Sequence, residues 1–445
     1  MLNKDKIIAA MHQKDISTQI ELANKLGMSK SQLSMLLSEN YSPIKSNVIS
    51  LCTELNIKLN DVLEVSNFET SSSGYEQLEL ALDNGISTLD KNNFRNSNFT
   101  DIQNVKPSKS FKVLELFAGA GGLALGLEKA GLESIGAIEL DKHACNTLRK
   151  NREGWNVIEG DIVAIANEGI TNFVDIGVGE LDLLSGGYPC QAFSYAGMKR
   201  GLEDVRGTLF YSYAQVLKDL MPKMFLAENV KGLVNHDNGN TLSTMIKVFS
   251  DIGYTVTWDI LKAVDYDVAQ KRERIVIIGV RNDIANLQNE NFAYPLPYSN
   301  KLTLKDVLTD VPESAGTSYP ASKKKVLDLV PPGGYWRDLP ENIAKEYMGK
   351  SFYSGGGRTG MARRLAWDEP SLTLTCSPAQ KQTERCHPDE TRPFTIREYA
   401  RIQSFPDDWV FDCSITNAYK QIGNAVPVNL GTAIGKSIVN YLNKI

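Results

Sequence analysis

A cysteine in a loop that contains glycine and proline is the first residue of the sequence to suggest chemistry. Cys190 follows Pro189 and the predicted strand Asp182–Ser185, so its thiol is expected in a loop at the end of a strand. Ligands of open α/β sheets bind at the carboxyl ends of the strands, and a thiolate there can attack an electrophilic carbon. A lone cysteine more often serves as a small packing residue, and Cys190 alone does not decide between the two roles.

Charged residues near two later strands favour the catalytic role. Glu228 and Asn229 end one predicted strand, so the Glu228 carboxylate is expected at the same edge of the sheet as Cys190. Arg272 and Arg274 precede the last predicted strand of the region and bring two guanidinium groups to it. For these two arginines the alternative is a surface salt bridge without a catalytic role.

A glycine-rich loop supplies the expected ligand site. The sequence Phe117-Ala-Gly119-Ala-Gly121-Gly122 follows a strand and opens a helix, where glycines let a ligand approach the backbone. Glu139 ends the next strand twenty residues after Gly119, where it can accept hydrogen bonds from a ribose. The pattern also fits a dinucleotide fingerprint, or glycines with a purely structural role, so by itself it leaves the nucleotide open.

Alternating strands and helices are needed to bring these loops together, and the sequence predicts them from residue 111 onwards. The predicted strands are Phe111–Phe117, Ser134–Glu139, Asp182–Ser185, Met224–Glu228, Thr255–Leu261 and Ile275–Val280, and the helices include Gly122–Ala130, Thr208–Leu220 and Thr241–Asp251. Alternation of this kind is typical of an α/β fold with a doubly wound, mostly parallel sheet. The last two strands have no convincing helix between them, which predicts a hairpin at one edge.

Three further regions depart from this alternation. Residues from about 281 to 370 are rich in proline, glycine, tyrosine and charge, and regular patterns return at Pro393, which predicts an inserted smaller domain. Residues 1–66 contain two short helices joined at Gly27, the plan of a helix-turn-helix unit; the alternative is a small bundle that only packs or dimerises. The polar residues 67–110 are predicted to be a linker.

Composition and charge exclude several classes of protein. The 445 residues carry a formal net charge of −5, and 42% hydrophobic with 23% charged residues is ordinary for a globular chain. There is neither an apolar run long enough for a membrane helix nor a signal-peptide core, so we expect a soluble, intracellular protein. Six scattered cysteines favour neither a disulfide scaffold nor a zinc site, and no bound metal is expected. Residues 323–364 hold nine Lys and Arg against four Asp and Glu, a basic stretch suited to phosphates.

Five motifs in this order resemble those of the DNA (cytosine-5) methyltransferases. They are Phe117-Ala-Gly-Ala-Gly-Gly122, Pro189-Cys190-Gln191, Glu228-Asn-Val230, Gln270-x-Arg272-x-Arg274 and Gln421-Ile-Gly-Asn-Ala-Val-Pro427, within residues 111 to 442. Residues 1–66 are similar to the helix-turn-helix domains of phage repressors. The resemblance implies S-adenosylmethionine as the cofactor, a large catalytic domain, a smaller target-recognition domain, and double-stranded DNA in the cleft between them.

For catalysis, the resemblance implies that Cys190 adds to C6 of cytosine while Glu228 hydrogen-bonds and protonates N3, a role that needs a proton on the carboxyl group. Addition makes C5 able to take the methyl group, and loss of the C5 proton then expels the cysteine. Arg272 and Arg274 match positions that hold the base and phosphate and orient the loop, and Asn229 is expected to brace that loop. Because C6 is inaccessible in a stacked duplex, the cytosine is expected to flip out, at a cost of roughly a few kcal/mol.

The resemblance also implies a cofactor site and a DNA surface. Glu139 is expected on the ribose and Asp161 on the amino group of adenine, with Phe117 stacked on the adenine ring. The full set implied for the cofactor is Phe117, Gly119, Gly121, Glu139, Asp161, Ile162, Pro189, Asn424 and Val426. The residues expected to contact DNA are Lys30, Gln32, Arg358, Arg363 and Arg364.

The predicted domain order follows from these assignments. It is a helix-turn-helix domain (1–66), a linker (67–110), a catalytic domain (111–280), a target-recognition domain (281–392) and a return to the catalytic domain (393–445). The implied function is methylation of cytosine C5 in a specific duplex sequence in the bacterial cytoplasm, protecting DNA from a cognate restriction enzyme. We expect a monomer in catalysis, and a dimer through residues 1–66 on operator DNA if that domain represses its own operon. The alternatives are a protein that is mainly a DNA-binding transcriptional regulator and a transfer-RNA cytosine-5 methyltransferase.

Overall fold

The structure is a computed structural model that describes residues 4–14, 16, 18–26, 33, 55, 98–189, 209–288, 290–353 and 360–445. Contacts divide the chain into two units, residues 1–89 and 90–445. The first unit contains α1 (Lys4–Gln13) and α2 (Gln19–Lys25). Thr18 caps α2 by accepting a hydrogen bond from the Glu21 amide at 3.2 Å, and Leu22 is fully buried. The recognition helix predicted from Ser29 falls outside the described residues except for Leu33.

A seven-stranded sheet forms the centre of the second unit. The strands of this unit are β1 (Asn98–Thr100), β2 (Phe111–Leu116), β3 (Leu132–Glu139), β4 (Val157–Glu159), β5 (Leu183–Gly186), β6 (Met224–Val230), β7 (Tyr254–Lys262), β8 (Gln270–Lys271), β9 (Glu273–Arg281), β10 (Ala293–Pro295) and β11 (Ser371–Leu372). The order in the sheet is β4-β3-β2-β5-β6-β9-β7; β9 runs antiparallel to β6 and β7, and the other neighbouring pairs are parallel. The predicted α/β sheet with a hairpin at one edge is confirmed. Strand β4 was not predicted, because three residues carry too little pattern.

Helices cover both faces of the sheet. The helices of the second unit, including those outside the sheet layers, are α3 (Gly122–Lys129), α4 (Lys142–Asn151), α5 (Ile162–Glu168), α6 (Leu209–Leu220), α7 (Asn240–Ile252), α8 (Asn282–Gln288), α9 (Leu304–Val307), α10 (Ala321–Leu327), α11 (Glu341–Met348), α12 (Ile396–Ile402), α13 (Ile415–Asn424) and α14 (Val428–Leu442). One core joins α5, α6 and α7 to the sheet, and a second joins α3 and α14 to it. Burial on both faces explains why β5 begins with two leucines and why β6 begins with four apolar residues. In the described parts of the chain, no helix is long and apolar enough to cross a lipid bilayer.

Two glycines bring the last helix against the first helix of the sheet. An ideal Cβ on Gly126 would lie 2.6 Å from the Val428 carbonyl oxygen and 2.8 Å from the Cα of Gly431. Backbone therefore meets backbone where α3 and α14 cross. This contact carries the carboxyl-terminal residues back to the glycine-rich loop, although more than 290 residues of sequence lie between Gly126 and Val428.

Two predicted boundaries differ from the structure. Part of the predicted linker packs into the second unit, because Ile102 is 1% exposed in its core and β1 pairs with β10. The start of the predicted recognition domain does the same, since Phe292 and Tyr294 are buried in that core. A smaller separate core lies further along, between residues 319 and 386, and includes Trp336. Isolated apolar residues within polar stretches could have indicated that these segments pack into the core.

Candidate functional site

The glycine-rich loop leaves β2 with a left-handed turn and enters α3. Phe117, Gly119 and Gly121 have φ angles of 57°, 53° and 83°. An ideal Cβ on Gly121 would lie 2.7 Å from Leu148 Cδ2, and one on Gly122 would lie 2.3 Å from the Val426 carbonyl oxygen. Glycine at 121 and 122 therefore lets two other segments close over the loop.

Glu139 holds the glycine-rich loop from the end of β3. Its Oε2 accepts the Gly119 amide at 2.7 Å, and its Oε1 accepts the amides of Leu140 and Asp141 at 2.9 and 2.7 Å. The two residues expected to bind the same ligand, Gly119 and Glu139, are thus in direct contact. Carboxylate oxygens keep lone pairs after such bonds, so hydroxyl groups can still donate to them.

Asp161 lies at the next position along the same edge of the sheet. Glu159 at the end of β4 pairs with Glu139, and Asp161 then caps α5 by accepting the Val163 amide at 2.9 Å. Ile162, the first residue of α5, is 4% exposed and packs in the core. Its side chain therefore faces the protein, and the group it can offer to a ligand is the N–H of a helix amino terminus.

Strand β5 ends in two glycines beneath the end of β6. An ideal Cβ on Gly186 would lie 2.7 Å from the Leu116 carbonyl oxygen, and one on Gly187 would lie 2.8 Å from Glu228 Oε2. Asn229 Nδ2 donates to the Tyr188 carbonyl at 2.8 Å, which confirms that Asn229 braces this loop. The described chain reaches the exposed Pro189 here, and Cys190 lies outside the described residues.

Glu228 and Arg274 form an ion pair between β6 and β9. Arg274 Nε lies 2.7 Å from Glu228 Oε1, and the two side chains are 13% and 12% exposed. Arg274 Nη1 also donates to the Glu273 carbonyl at 2.8 Å. Burial on this scale makes the pair sensitive to loss of either partner. Together with the Gly187 contact, the pair fixes the direction in which the Glu228 carboxylate points.

Arg272 is buried rather than exposed to a ligand. Its side chain is 1% exposed and donates to the carbonyls of Leu374, Gly423 and Asn424 at 3.3, 3.1 and 3.4 Å. Burial, followed by the nearby Arg274 cation, lowers the pKa of Arg272 to about 9. The expected direct hold on a base or phosphate is therefore wrong for this side chain in the structure, whereas a role in orienting neighbouring backbone agrees with its contacts.

The carboxyl-terminal turn closes the other side of the glycine-rich loop. Val426 is buried against Gly122, and Asn424 Oδ1 accepts a hydrogen bond from Cys376 Sγ at 2.8 Å. A Cβ on Gly423 would lie 2.5 Å from the Thr375 carbonyl. The structure thus places Phe117, Gly119, Gly121, Glu139, Asn424 and Val426 in or against one loop. Asp161 and Ile162 follow the strand paired with β3, and Pro189 follows Tyr188, whose ring centroid lies 6.5 Å from that of Phe117.

Among the five residues expected to contact DNA, Arg364 needs correction. It is 4% exposed, and its guanidinium donates to the carbonyls of Leu327, Val330, His387 and Pro388 and to Thr391 Oγ1. Those bonds use all five N–H groups, so none is left for a phosphate. Arg363 is 14% exposed and lies 4.0 Å from Glu369. Lys30, Gln32 and Arg358 lie outside the described residues.

Three buried polar residues were given no role in the sequence analysis, although Gln270 is part of one of its motifs. Gln270 and Gln403 are fully buried and bonded to one another at 2.8 Å, and Glu115 is 4% exposed with Oε2 unpartnered. Burial, and then the Glu139 carboxylate, raise the pKa of Glu115 well above its ordinary value. The available signal was a polar residue inside an otherwise apolar run, as in Phe111-Lys-Val-Leu-Glu-Leu116. Among the described residues, no cluster of His, Cys, Asp and Glu could hold a metal ion.

The comparisons with known families and proteins agree with this geometry. The family model of the C-5 cytosine-specific DNA methylases matches residues 111–440, and that of the bacteriophage CI repressor helix-turn-helix domain matches residues 6–65. The type II methyltransferase M.Sau96I of Staphylococcus aureus is 57% identical over 444 residues, which cover 100% of this chain and 99% of the relative. The type II methyltransferase M.Eco47II of Escherichia coli is 60% identical over 343 residues, covering 75% of this chain and 80% of the relative.

Solved structures show the same fold. One described as a DNA modification methyltransferase encoded within a prophage, from E. coli, is 26% identical with a TM-score of 0.54 and covers 75% of this chain and 100% of its own. DNMT2 of Spodoptera frugiperda, at 16% identity and a TM-score of 0.51, covers 74% of this chain and 99% of its own and is alike in fold alone. The chain belongs to the C-5 cytosine-specific DNA methylases, and it is a DNA cytosine-5 methyltransferase that also carries a phage-repressor type of helix-turn-helix domain.

Proposed function

We propose that the protein transfers a methyl group from S-adenosylmethionine to C5 of a cytosine flipped out of a specific duplex DNA sequence. The observation that carries the proposal is the position of Glu228, whose carboxylate is held by Arg274 against Gly187. Gly187 comes three residues before Cys190 in the chain. The acid therefore lies beside the segment from which the chain continues to the proposed nucleophile Cys190, and attack on a pyrimidine ring requires both groups.

In the proposed reaction the residues of this chain act on the cytosine ring. The Cys190 thiolate forms a bond to C6, and Glu228 donates a proton to N3, so that the electron pair of the ring reaches C5. After C5 has been methylated, a base removes the proton from C5, the bond between C6 and Cys190 breaks to release the thiolate, and N3 returns its proton to Glu228. Arg274 keeps the Glu228 carboxyl group in place during these steps, and Asn229 keeps the loop that leads to Cys190.

The residues around the glycine-rich loop fit S-adenosylmethionine. Glu139 suits the ribose hydroxyls, Asp161 and the Ile162 amide suit the edge of adenine, and Phe117 suits its face. Glu115 Oε2 and Ser185 Oγ, neighbours in the register of β2 and β5, are buried without a partner in the described protein, which fits a polar, charged ligand better than an apolar one. When bound, the cofactor supplies a methyl group on a positively charged sulfonium.

We assign DNA binding to the basic stretch at residues 323–364. Among its described residues, we propose Arg363 as a contact to the DNA phosphates. Flipping a cytosine costs roughly a few kcal/mol, which contacts to the phosphates must offset. We propose that the enzyme acts as a monomer in the bacterial cytoplasm, where the methylated sequence is protected from a cognate restriction enzyme.

A second function is favoured by the match of residues 6–65 to a phage-repressor domain. We propose that this domain binds operator DNA as a dimer and represses the operon that encodes the enzyme. Seven lysines against seven acidic residues in positions 1–66 predict modest affinity. Footprinting of operator DNA with the full chain, and with a chain lacking residues 1–66, tests this function separately from methylation.

Transfer of tritiated methyl groups to duplex oligonucleotide libraries, followed by bisulfite mapping, tests the main proposal. Label on cytosine C5 in one duplex sequence is the expected result. Label on adenine, or on transfer RNA but not on DNA, would overturn it. The variant Cys190→Ser should abolish both transfer and covalent trapping by DNA containing 5-fluorocytosine, while cofactor binding remains.

A further inference from the structure

Two buried glutamines connect segments of the second unit that are distant in sequence. Gln270 on β8 and Gln403 after α12 are both 0% exposed, and Gln270 Nε2 donates to Gln403 Oε1 at 2.8 Å. Residues of this type are seldom fully buried unless their hydrogen bonds are satisfied within the protein. The other hydrogen-bond partners of the two side-chain amides therefore show which segments the pair connects.

Backbone groups at both ends fix the direction of this chain of amides. Gln270 Oε1 accepts the Leu374 amide at 2.9 Å, while Gln403 Nε2 donates to the carbonyls of Ile422 and Ala425 at 2.7 and 3.1 Å. A backbone N–H can only donate and a carbonyl can only accept, so neither amide can turn over without placing like groups together. The pair therefore forms one oriented connection from Leu374 to the end of α13.

The carbonyls at the end of α13 are held as a complete set. Gln403 donates hydrogen bonds to the carbonyls of Ile422 and Ala425, and Arg272 donates to those of Gly423 and Asn424 at 3.1 and 3.4 Å. Carbonyls at a helix carboxyl terminus lack intrahelical partners, and a cation there also interacts favourably with the helix dipole. Four successive carbonyls are thus oriented by two side chains from other segments. The same turn presents Asn424 and places Val426 against Gly122.

We propose that Gln403, acting with Gln270, is a positioning residue for the cofactor site. It sets the Ile422–Ala425 turn so that Asn424 and Val426 close over the glycine-rich loop, and through Gln270 it ties that turn to Leu374. The proposal rests on the proposed assignment of this pocket to S-adenosylmethionine. The contacts themselves belong to the protein without its ligand, so they can be tested with and without it.

The first test uses Gln403→Met, which keeps the length of the side chain and removes its three hydrogen bonds. The dissociation constant for S-adenosylhomocysteine, measured by calorimetry, should rise about tenfold, because the turn is no longer held. In methyl transfer, the KM for the cofactor should rise more than kcat falls. Tyr254→Phe is the control, since it removes a buried bond to the Pro222 carbonyl at 2.7 Å at the amino end of β6. It should lower the melting temperature without changing the affinity.

A second variant keeps the proposal testable if Gln403→Met does not fold. In Gln403→Glu an ionised carboxylate faces the Ile422 and Ala425 carbonyls, whereas a protonated carboxyl group can donate to one of them. The affinity of this variant relative to the original protein should therefore improve by several fold, roughly, as the pH falls from about 8 to about 6. An affinity ratio that stays constant with pH would contradict a role through these carbonyls.

Hydrogen exchange of the ligand-free protein separates this proposal from the proposed function. In Gln403→Met, amides in peptides that cover residues 372–376 and 420–427 should exchange faster than in the original protein, and those of Tyr254→Phe should not. If the original protein binds no S-adenosylhomocysteine, the cofactor assignment fails while the exchange result still decides the positioning role. Unchanged exchange and unchanged affinity in Gln403→Met would overturn the proposal.

Discussion

Glu228 Oε2 lies 2.8 Å from the point at which a Cβ on Gly187 would stand. The other oxygen of the same carboxylate lies 2.7 Å from Arg274 Nε. One oxygen of Glu228 therefore occupies space that is free because residue 187 has no side chain, and the other oxygen is held by the Arg274 cation. The backbone at Gly187, three residues before Cys190 in the sequence, and the carboxyl group of the proposed acid are therefore fitted to each other.

Replacing Gly187 by alanine tests this fit. No positive φ is found at Gly187, so the added methyl group should cost little backbone strain and should instead displace the Glu228 carboxylate. We expect kcat to fall by roughly tenfold or more, within the contribution that general acids make, with cofactor affinity unchanged. Gly232→Ala is the control, since no atom lies within 4 Å of a Cβ there. Equal kcat in the two variants would contradict the assignment.

The ion pair itself predicts non-additive kinetics. Arg274→Met should lower kcat because Glu228 loses the contact that orients it, and Glu228→Gln should lower kcat by about a hundredfold because the proton donor is weakened. In the Glu228→Gln background, Arg274→Met should add little, since the two residues act as one unit. Steady-state methyl transfer by the four proteins measures the coupling, and independent effects that multiply would argue against it.

The order of the strand ends could be predicted because it depends on local patterns. Two described motif residues that end apolar runs, Glu139 at the end of β3 and Glu228 in β6, lie at the carboxyl edge of parallel strands. A parallel sheet brings those ends to one edge whatever the details of side-chain packing. The contact between Gly119 and Glu139 at 2.7 Å is one result.

Contacts between distant segments could not be predicted in the same way. Gln270 and Gln403 are separated by 133 residues, and no periodicity of either segment records that their amides meet. Charge counting failed for a similar reason at Arg364, because it cannot distinguish this buried arginine from the adjacent Arg363. Arg364 donates to the carbonyls of Leu327 and Val330, two members of the small core around Trp336, and that core forms from residues scattered between 319 and 386.

The two adjacent arginines predict opposite phenotypes. Arg364→Met should lower the melting temperature, because five carbonyl and hydroxyl oxygens lose their donors, while the folded fraction keeps its affinity for DNA. Arg363→Met should leave the melting temperature nearly unchanged, raise the KM for DNA, and reduce the slope of log affinity against log salt by about one. Thermal melting and DNA titrations at several salt concentrations distinguish the two, and a salt effect confined to Arg364→Met would reverse the assignment.

The buried carboxyl group of Glu115 predicts a stability that depends on pH. Burial raises its pKa in the folded protein above the ordinary value of 4.5, so the folded protein holds a proton that the unfolded chain has lost. The free energy of unfolding should therefore fall as pH rises from 4.5 towards the raised pKa. Glu115→Gln cannot titrate, so its melting temperature should exceed that of the original protein by more at pH about 8 than at pH about 5.

Ser185→Ala, which removes the neighbouring unpartnered hydroxyl without a titrating group, should shift the melting temperature equally at both pH values. A shift for Glu115→Gln that is equally independent of pH would show that this carboxyl group titrates alike in the folded and unfolded chain.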